Sequence, residues 1–164
     1  MKKNKKQNII ILGVAVVIIA GIIIYNYSAE QTRQKGFAFG NELEQIQTEV
    51  KDLQTQFYSK KAQWEERTIT QEELFQHYEK HVEKFEKIIL RYDSLSPPES
   101  FEPAVNLLKL SSQTQLDSDI QYIEWMKTGD ESYKVRSDSQ YQEALEYEMS
   151  GLVKYYSAKT GIEP

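Results

Sequence analysis

The sequence predicts an all-α protein: a single N-terminal transmembrane helix followed by an antiparallel four-helix bundle, with two long helical hairpins as the alternative packing. Three observations carry this. From Ile9 to Tyr25 there is no charged residue. Beyond residue 40, apolar residues recur at steps of three and four, the period of a helix with one buried face. Only 4 prolines and 7 glycines occur in 164 residues, so breaks between helices are few.

The N-terminal segment comes first. Twelve of the seventeen residues from Ile9 to Tyr25 are Ile, Leu or Val. At about −0.3 to −0.6 kcal/mol each near the bilayer centre, they favour insertion by roughly 4 to 7 kcal/mol. Extending the run to Asn8 and Tyr27 gives a helix of about 30 Å, the thickness of a hydrocarbon core. A cleaved signal peptide is the competing reading. Its apolar region usually runs about 7–15 residues and ends at small residues. Here the best exit, Ser28-Ala29, would place bulky Tyr27 where a small residue is required, so an uncleaved anchor is expected.

Lys2, Lys3, Lys5 and Lys6 precede the span without any acid, which keeps the N-terminus cytoplasmic. The expected organisation is a cytoplasmic basic tail at 1–8, a transmembrane helix at 9–27, a juxtamembrane linker at 28–40 and an extracytoplasmic helical bundle at 41–164. The expected location is therefore the cell membrane, single-pass, with the C-terminal domain outside. From Ser28 onward 16 bases face 25 acids, a formal charge of −9. That charge argues against nucleic acid as a partner. No cysteine is present, which removes disulfides, thiol nucleophiles and a lipidated cysteine.

The first external helix is expected from Asn41 to Arg67. Leu43, Ile46, Val50, Leu53, Phe57 and Trp64 form a heptad seam that projects back to Phe39 and Gly36. Thr70 and Glu73 have the spacing of a capping box that opens the second helix, from Gln71 to about Asp93. Phe75, Val82 and Ile89, with Tyr78, Phe85 and Tyr92 beside them, make a face broad enough for a bundle. Pro97 and Pro98 end that helix. Ser96 or Ser100 is expected to cap the third helix, with Pro103 in its first turn. Val105, Leu108, Leu116, Ile120, Ile123 and Met126 form its stripe, and Gly129 closes it. Asp130 is placed to cap the fourth helix, which carries Tyr133, Tyr141, Leu145, Leu152 and Tyr156 and ends near Gly161.

Four segments of the C-terminal half, "LSPPESF", "SSQTQLDSD", "IEWMKTGDES" and "EYEMSGL", resemble small membrane-anchored helical proteins of ammonia-oxidising archaea. The resemblance spans about Leu95 to Gly161. It implies an archaeal cell membrane and an outward-facing helical domain. It implies no activity, cofactor or binding residue.

Candidate chemistry is sparse. His77 and His81 are the only histidines, and their spacing of four puts two imidazoles on one helix face, as a zinc, copper or nickel site requires. "HYEKH" lacks the order of a zincin motif, so a third ligand would have to come from another helix. Glu65-Glu66, Glu72-Glu73, Asp117-Asp119 and Asp130-Glu131 are acidic pairs that solvated helix faces produce by default. No Ser-His-Asp order, phosphate loop or cofactor motif occurs. The polar middle of the third helix, with Ser112 and Gln115 beside the apolar stripe, is where a buried polar layer or a small-molecule pocket would form.

The expectation is a non-enzymatic, cofactor-free interaction or envelope-structural module with a protein partner or a homo-oligomeric state. The alternative is a ligand- or metal-sensing bundle that signals through a partner membrane protein.

Overall fold

The computed structural model describes Gly36 and residues 38–161. The expected basic tail, the transmembrane helix and most of the linker lie outside the described residues. Among the described residues no helix is long and apolar enough to cross a membrane.

Residues 38–160 form an all-α arrangement of four helices: α1 at 38–65, α2 at Gln71–Ser94, α3 at Glu102–Thr128 and α4 at Glu131–Thr160. A single 3-10 turn, Glu99–Phe101, precedes α3. Helix α1 starts before Asn41, and Phe39, which the sequence reading put in the linker, is a core residue.

Local chemistry explains the boundaries. Helix α1 closes with Arg67 in the left-handed region, φ 60°. The Arg67 amide donates to the Trp64 carbonyl and the Thr68 amide to the Gln63 carbonyl, both at 2.9 Å. That pair of reversed bonds satisfies carbonyls the helix end would leave bare. The predicted capping box opens α2: the Glu73 amide donates to Thr70 Oγ1 at 3.2 Å, and the Thr70 amide donates to Glu73 Oε2 at 2.8 Å. Neither serine caps α3. Its N-cap position is Phe101, without a side-chain bond, because the 3-10 turn after Pro98 supplies the entry geometry. Gly129 ends α3 at φ 71°, and Asp130 Oδ1 accepts from the Ser132 amide at 2.9 Å to start α4.

Consecutive helices run antiparallel, as their contacts show. Arg91 of α2 donates to Glu42 and Glu49 of α1, while Phe57 of α1 stacks on Tyr78 of α2 with ring centroids 4.4 Å apart. Tyr92 meets Ser112, and His81 meets Asp119, between α2 and α3. Two apolar clusters fill the interior. The larger joins Phe39, Leu43, Ile46 and Leu53 to Phe85, Ile89, Val105 and Leu108. The smaller joins Phe57, Leu74, Tyr78, Tyr122 and Ile123.

Helix α4 packs differently from the expectation. Leu152 and Tyr156, two of the large apolar residues that the sequence places along it, are exposed, whereas Ser137, Ala144 and Gly151 are buried. These three recur every seven residues and face α3, where Ala104, Ser111 and Ser118 recur with the same period. Small side chains let the two backbones approach closely. Ser111 Oγ donates to the Ala144 carbonyl and Ser118 Oγ to the Ser137 carbonyl, each at 2.8 Å. A hydrophobic stripe was the wrong criterion for this helix, because contact between backbones replaces burial of large side chains.

Candidate functional site

Between the two apolar clusters lies a polar layer. Asp119 is only 2% exposed. Its Oδ2 accepts from Gln54 Nε2 at 2.8 Å and meets His81 Nε2 at 2.7 Å, while its Oδ1 accepts from Gln115 Nε2 at 3.1 Å. Three helices thus supply partners to one buried carboxylate, which is what makes an interior charge tolerable.

Two turns away along α3 a second relay runs through Tyr92. Ser112 Oγ donates to the Leu108 carbonyl at 3.0 Å, so its oxygen is free to accept from the Tyr92 hydroxyl at 3.1 Å. Gln47 Nε2 in turn donates to that hydroxyl. Burial pushes the Tyr92 phenol up to about 12, against the opposing effect of the bonds to Ser112 and Gln47.

This layer floors a groove of about 500 Å³ between α1 and α4. Ser111, Ser112 and Gln115 form the floor; Val50 and Tyr58 of α1 face Leu145 and Leu152 of α4 across it. The polar middle of α3 therefore meets an open groove on one side. Gln54 also lines the groove, and its Oε1 is buried without a hydrogen-bond partner. The rings of Tyr58 and Tyr141 meet edge-on, centroids 6.4 Å apart, at the same α1–α4 opening. Next to the groove, Met149, Leu152, Val153 and Tyr156 form an exposed apolar row at the i, i+3, i+4, i+7 positions of α4, with Met149 69% exposed.

The structure treats the two histidines unequally. His77 is exposed, and His81 is buried with its Nε2 committed to Asp119. Both line a second, smaller cleft between α1 and α2. Among the described residues no group of three or more His, Cys, Asp or Glu side chains gathers as metal ligands would.

The acidic pair Asp117-Asp119 is split by the helix. Asp117 points outward, with its carboxyl raised by partial desolvation, and Asp119 points into the core. From the sequence Asp119 is named only as half of an acidic pair expected on a solvated face, and Gln54 is not named. A usable sign was present: Asp119 follows Ser112 by seven residues and Gln115 by four, placing it on the buried face beside Leu108 and Leu116. No known family model, curated protein or solved structure matches the chain.

Proposed function

We propose that the chain is a single-pass membrane protein whose outward-facing antiparallel bundle is a non-enzymatic interaction module of an archaeal cell envelope, docking a helix of a protein partner on α4. The observation that carries this is the row Met149, Leu152, Val153 and Tyr156, apolar and exposed beside an open groove. Monomeric soluble domains rarely leave such a contiguous apolar face uncovered. Helix-in-groove recognition uses anchors at this spacing. The anchor itself rests on the apolar run from Ile9 to Tyr25 and on the lysines before it.

Photo-crosslinking in intact cells tests the reading. A photoreactive residue at Met149 or Val153 of the full-length protein should yield a discrete protein adduct. The same residue at Leu90, which is 66% exposed on α2, should not. Equal yields from both helices, or none from either, would rule out α4 as the docking face.

A second reading, ligand sensing that is passed to a partner membrane protein, is favoured by the groove itself. Its volume of about 500 Å³ falls within the range of small-molecule sites, about 300–1,000 Å³. The unpartnered Gln54 Oε1 offers a buried acceptor in a residue of its lining. Small-molecule screening by thermal shift, comparing the wild-type chain with Gln54→Leu, separates this reading from the first.

A further inference from the structure

We propose that the cleft between α1 and α2 is a binding site for a phosphate group, held by Lys60, Lys80, Lys84 and His77 above the buried His81. This inference does not rest on the α4 docking face, and either can fail alone.

The cleft has a volume of about 290 Å³ and no carboxylate in its lining. That is unusual in a segment where 25 acids outnumber 16 bases. His77, Lys80, His81 and Lys84 stand at i, i+3, i+4 and i+7 of α2 and so share one face, and Lys60 comes from α1 opposite. Five lysines of the bundle are paired with carboxylates, Lys87 with Glu83 and Lys134 with Asp138 among them. Among the described residues, Lys80 and Lys84 form no ion pair, and the ammonium of Lys60 donates to the neutral Gln63 Oε1 at 2.9 Å. Three ammonium groups without a direct carboxylate partner stand around one concavity, although Glu73 and Glu83 act on Lys60 and Lys84 from outside its lining. Desolvation first, then the charges of Lys60 and Lys80, hold the His77 imidazole below the ordinary histidine value, against the opposing charge of Glu73.

The second, independent observation lies deeper. His81 lines the cleft and is 5% exposed, and its Nδ1 is buried without a partner. Its Nε2 is fixed against Asp119 Oδ2. A buried polar atom left unpaired is costly, about 1–3 kcal/mol. A phosphate satisfies it in either of two ways: its P–OH donates to a bare Nδ1, or its oxygen accepts from a protonated one. Lysines bind phosphate as point charges and need no fork geometry, which suits three flexible side chains around a small cleft. The volume admits a phosphate with a short ester, not a large ligand.

The source of the phosphate is distinguishable. The full-length chain, carrying 13C-labelled histidine, is placed in nanodiscs of phosphatidylcholine or of phosphatidylglycerol and titrated with inorganic phosphate, with sodium chloride at matched ionic strength as reference. The expected result is a saturable shift of the His81 ring signal in phosphatidylcholine discs that chloride does not reproduce. If phosphatidylglycerol discs show the shifted signal before any addition, the occupant is a lipid headgroup; an identical titration in both discs identifies soluble phosphate. Each lysine removed should weaken binding by about tenfold or more, as loss of a charged hydrogen bond does, so Lys80→Gln with Lys84→Gln abolishes the shift in the millimolar range. Lys87→Gln, on the same helix but outside the cleft, should leave it intact. A response matched by chloride, or one that survives the double variant, overturns the proposal.

Discussion

Gly151 of α4 lies against Leu108 of α3 so closely that a β-carbon built on it would stand 2.9 Å from Leu108 Cγ and 3.2 Å from the Leu108 amide nitrogen. The side-chain atom can move; the backbone atom can move only with α3. Gly151→Ala should therefore destabilise the bundle by about 1–3 kcal/mol, the usual range for overpacking, despite alanine's better helix propensity. Gly40 is the control: it is helical, with nothing within 4 Å of a β-carbon position. Gly40→Ala should stabilise by about 0.4–1 kcal/mol. Urea midpoints of opposite sign for the two changes are the expected outcome; a stabilising Gly151→Ala would refute the close approach.

Arg67 offers a gain of a different kind. It holds a left-handed conformation at the end of α1, a position where glycine carries no β-carbon penalty. Arg67→Gly should raise stability by about 1 kcal/mol, and Arg67→Val should lower it. Thermal unfolding of the two variants side by side decides the matter.

The buried layer should be strongly coupled. Asp119→Ala strips partners from His81, Gln54 and Gln115 at once and should cost about 3–5 kcal/mol. Replacing both members of the pair, His81→Leu with Asp119→Leu, should cost much less than the sum of the single changes. A double-mutant cycle in urea measures the difference, and additive single effects would show that the 2.7 Å contact does not couple the two residues.

Alkali should weaken the fold through its tyrosines. Burial raises the phenols of Tyr92 and Tyr122 to about 12 in the folded chain. An unfolded tyrosine titrates near about 10. The folded state thus keeps its protons longer, so the stability this represents is complete below pH about 10 and drains away as the pH climbs toward about 12. Denaturation midpoints measured from pH 9 to pH 11.5 should fall, and Tyr92→Phe should flatten the slope. Absorbance at 295 nm should show these phenols ionising after the exposed ones.

Much of the architecture was readable from residue patterns because large side chains announced it. Leu43, Ile46, Leu53 and Phe57 on α1, and Tyr78, Phe85, Ile89 and Tyr92 on α2, are buried as their periods require. Thr70 with Glu73, Gly129, Asp130 and Gly161 mark helix ends by local bonding, which needs no knowledge of distant neighbours. Helix α4 was harder because its buried face is Ser137, Ala144 and Gly151, residues equally common on exposed surfaces. Only their period, matched to that of Ala104, Ser111 and Ser118, distinguishes them. The site followed the same division. Ser112 and Gln115 stood out as polar residues near an apolar stripe. Asp119 was named only in an acidic pair expected on a solvated face, since its burial becomes intelligible only when partners from other helices are in view.

Phe101 touches both the start of α1 and the last turns of α4: its ring centroid lies 5.5 Å from that of Phe39 and 5.3 Å from that of Tyr155. Entry and exit are therefore neighbours, and the order in which the helices are strung is separable from the way they pack. A circular permutant, cut between Gly129 and Asp130 and spliced by a short flexible peptide from Gly161 to Phe39, keeps every interhelical contact and sacrifices one turn. In such a molecule α3 and α4 would have to find each other across the length of the polypeptide, so its refolding rate reports how far the small-residue interface relies on being a hairpin.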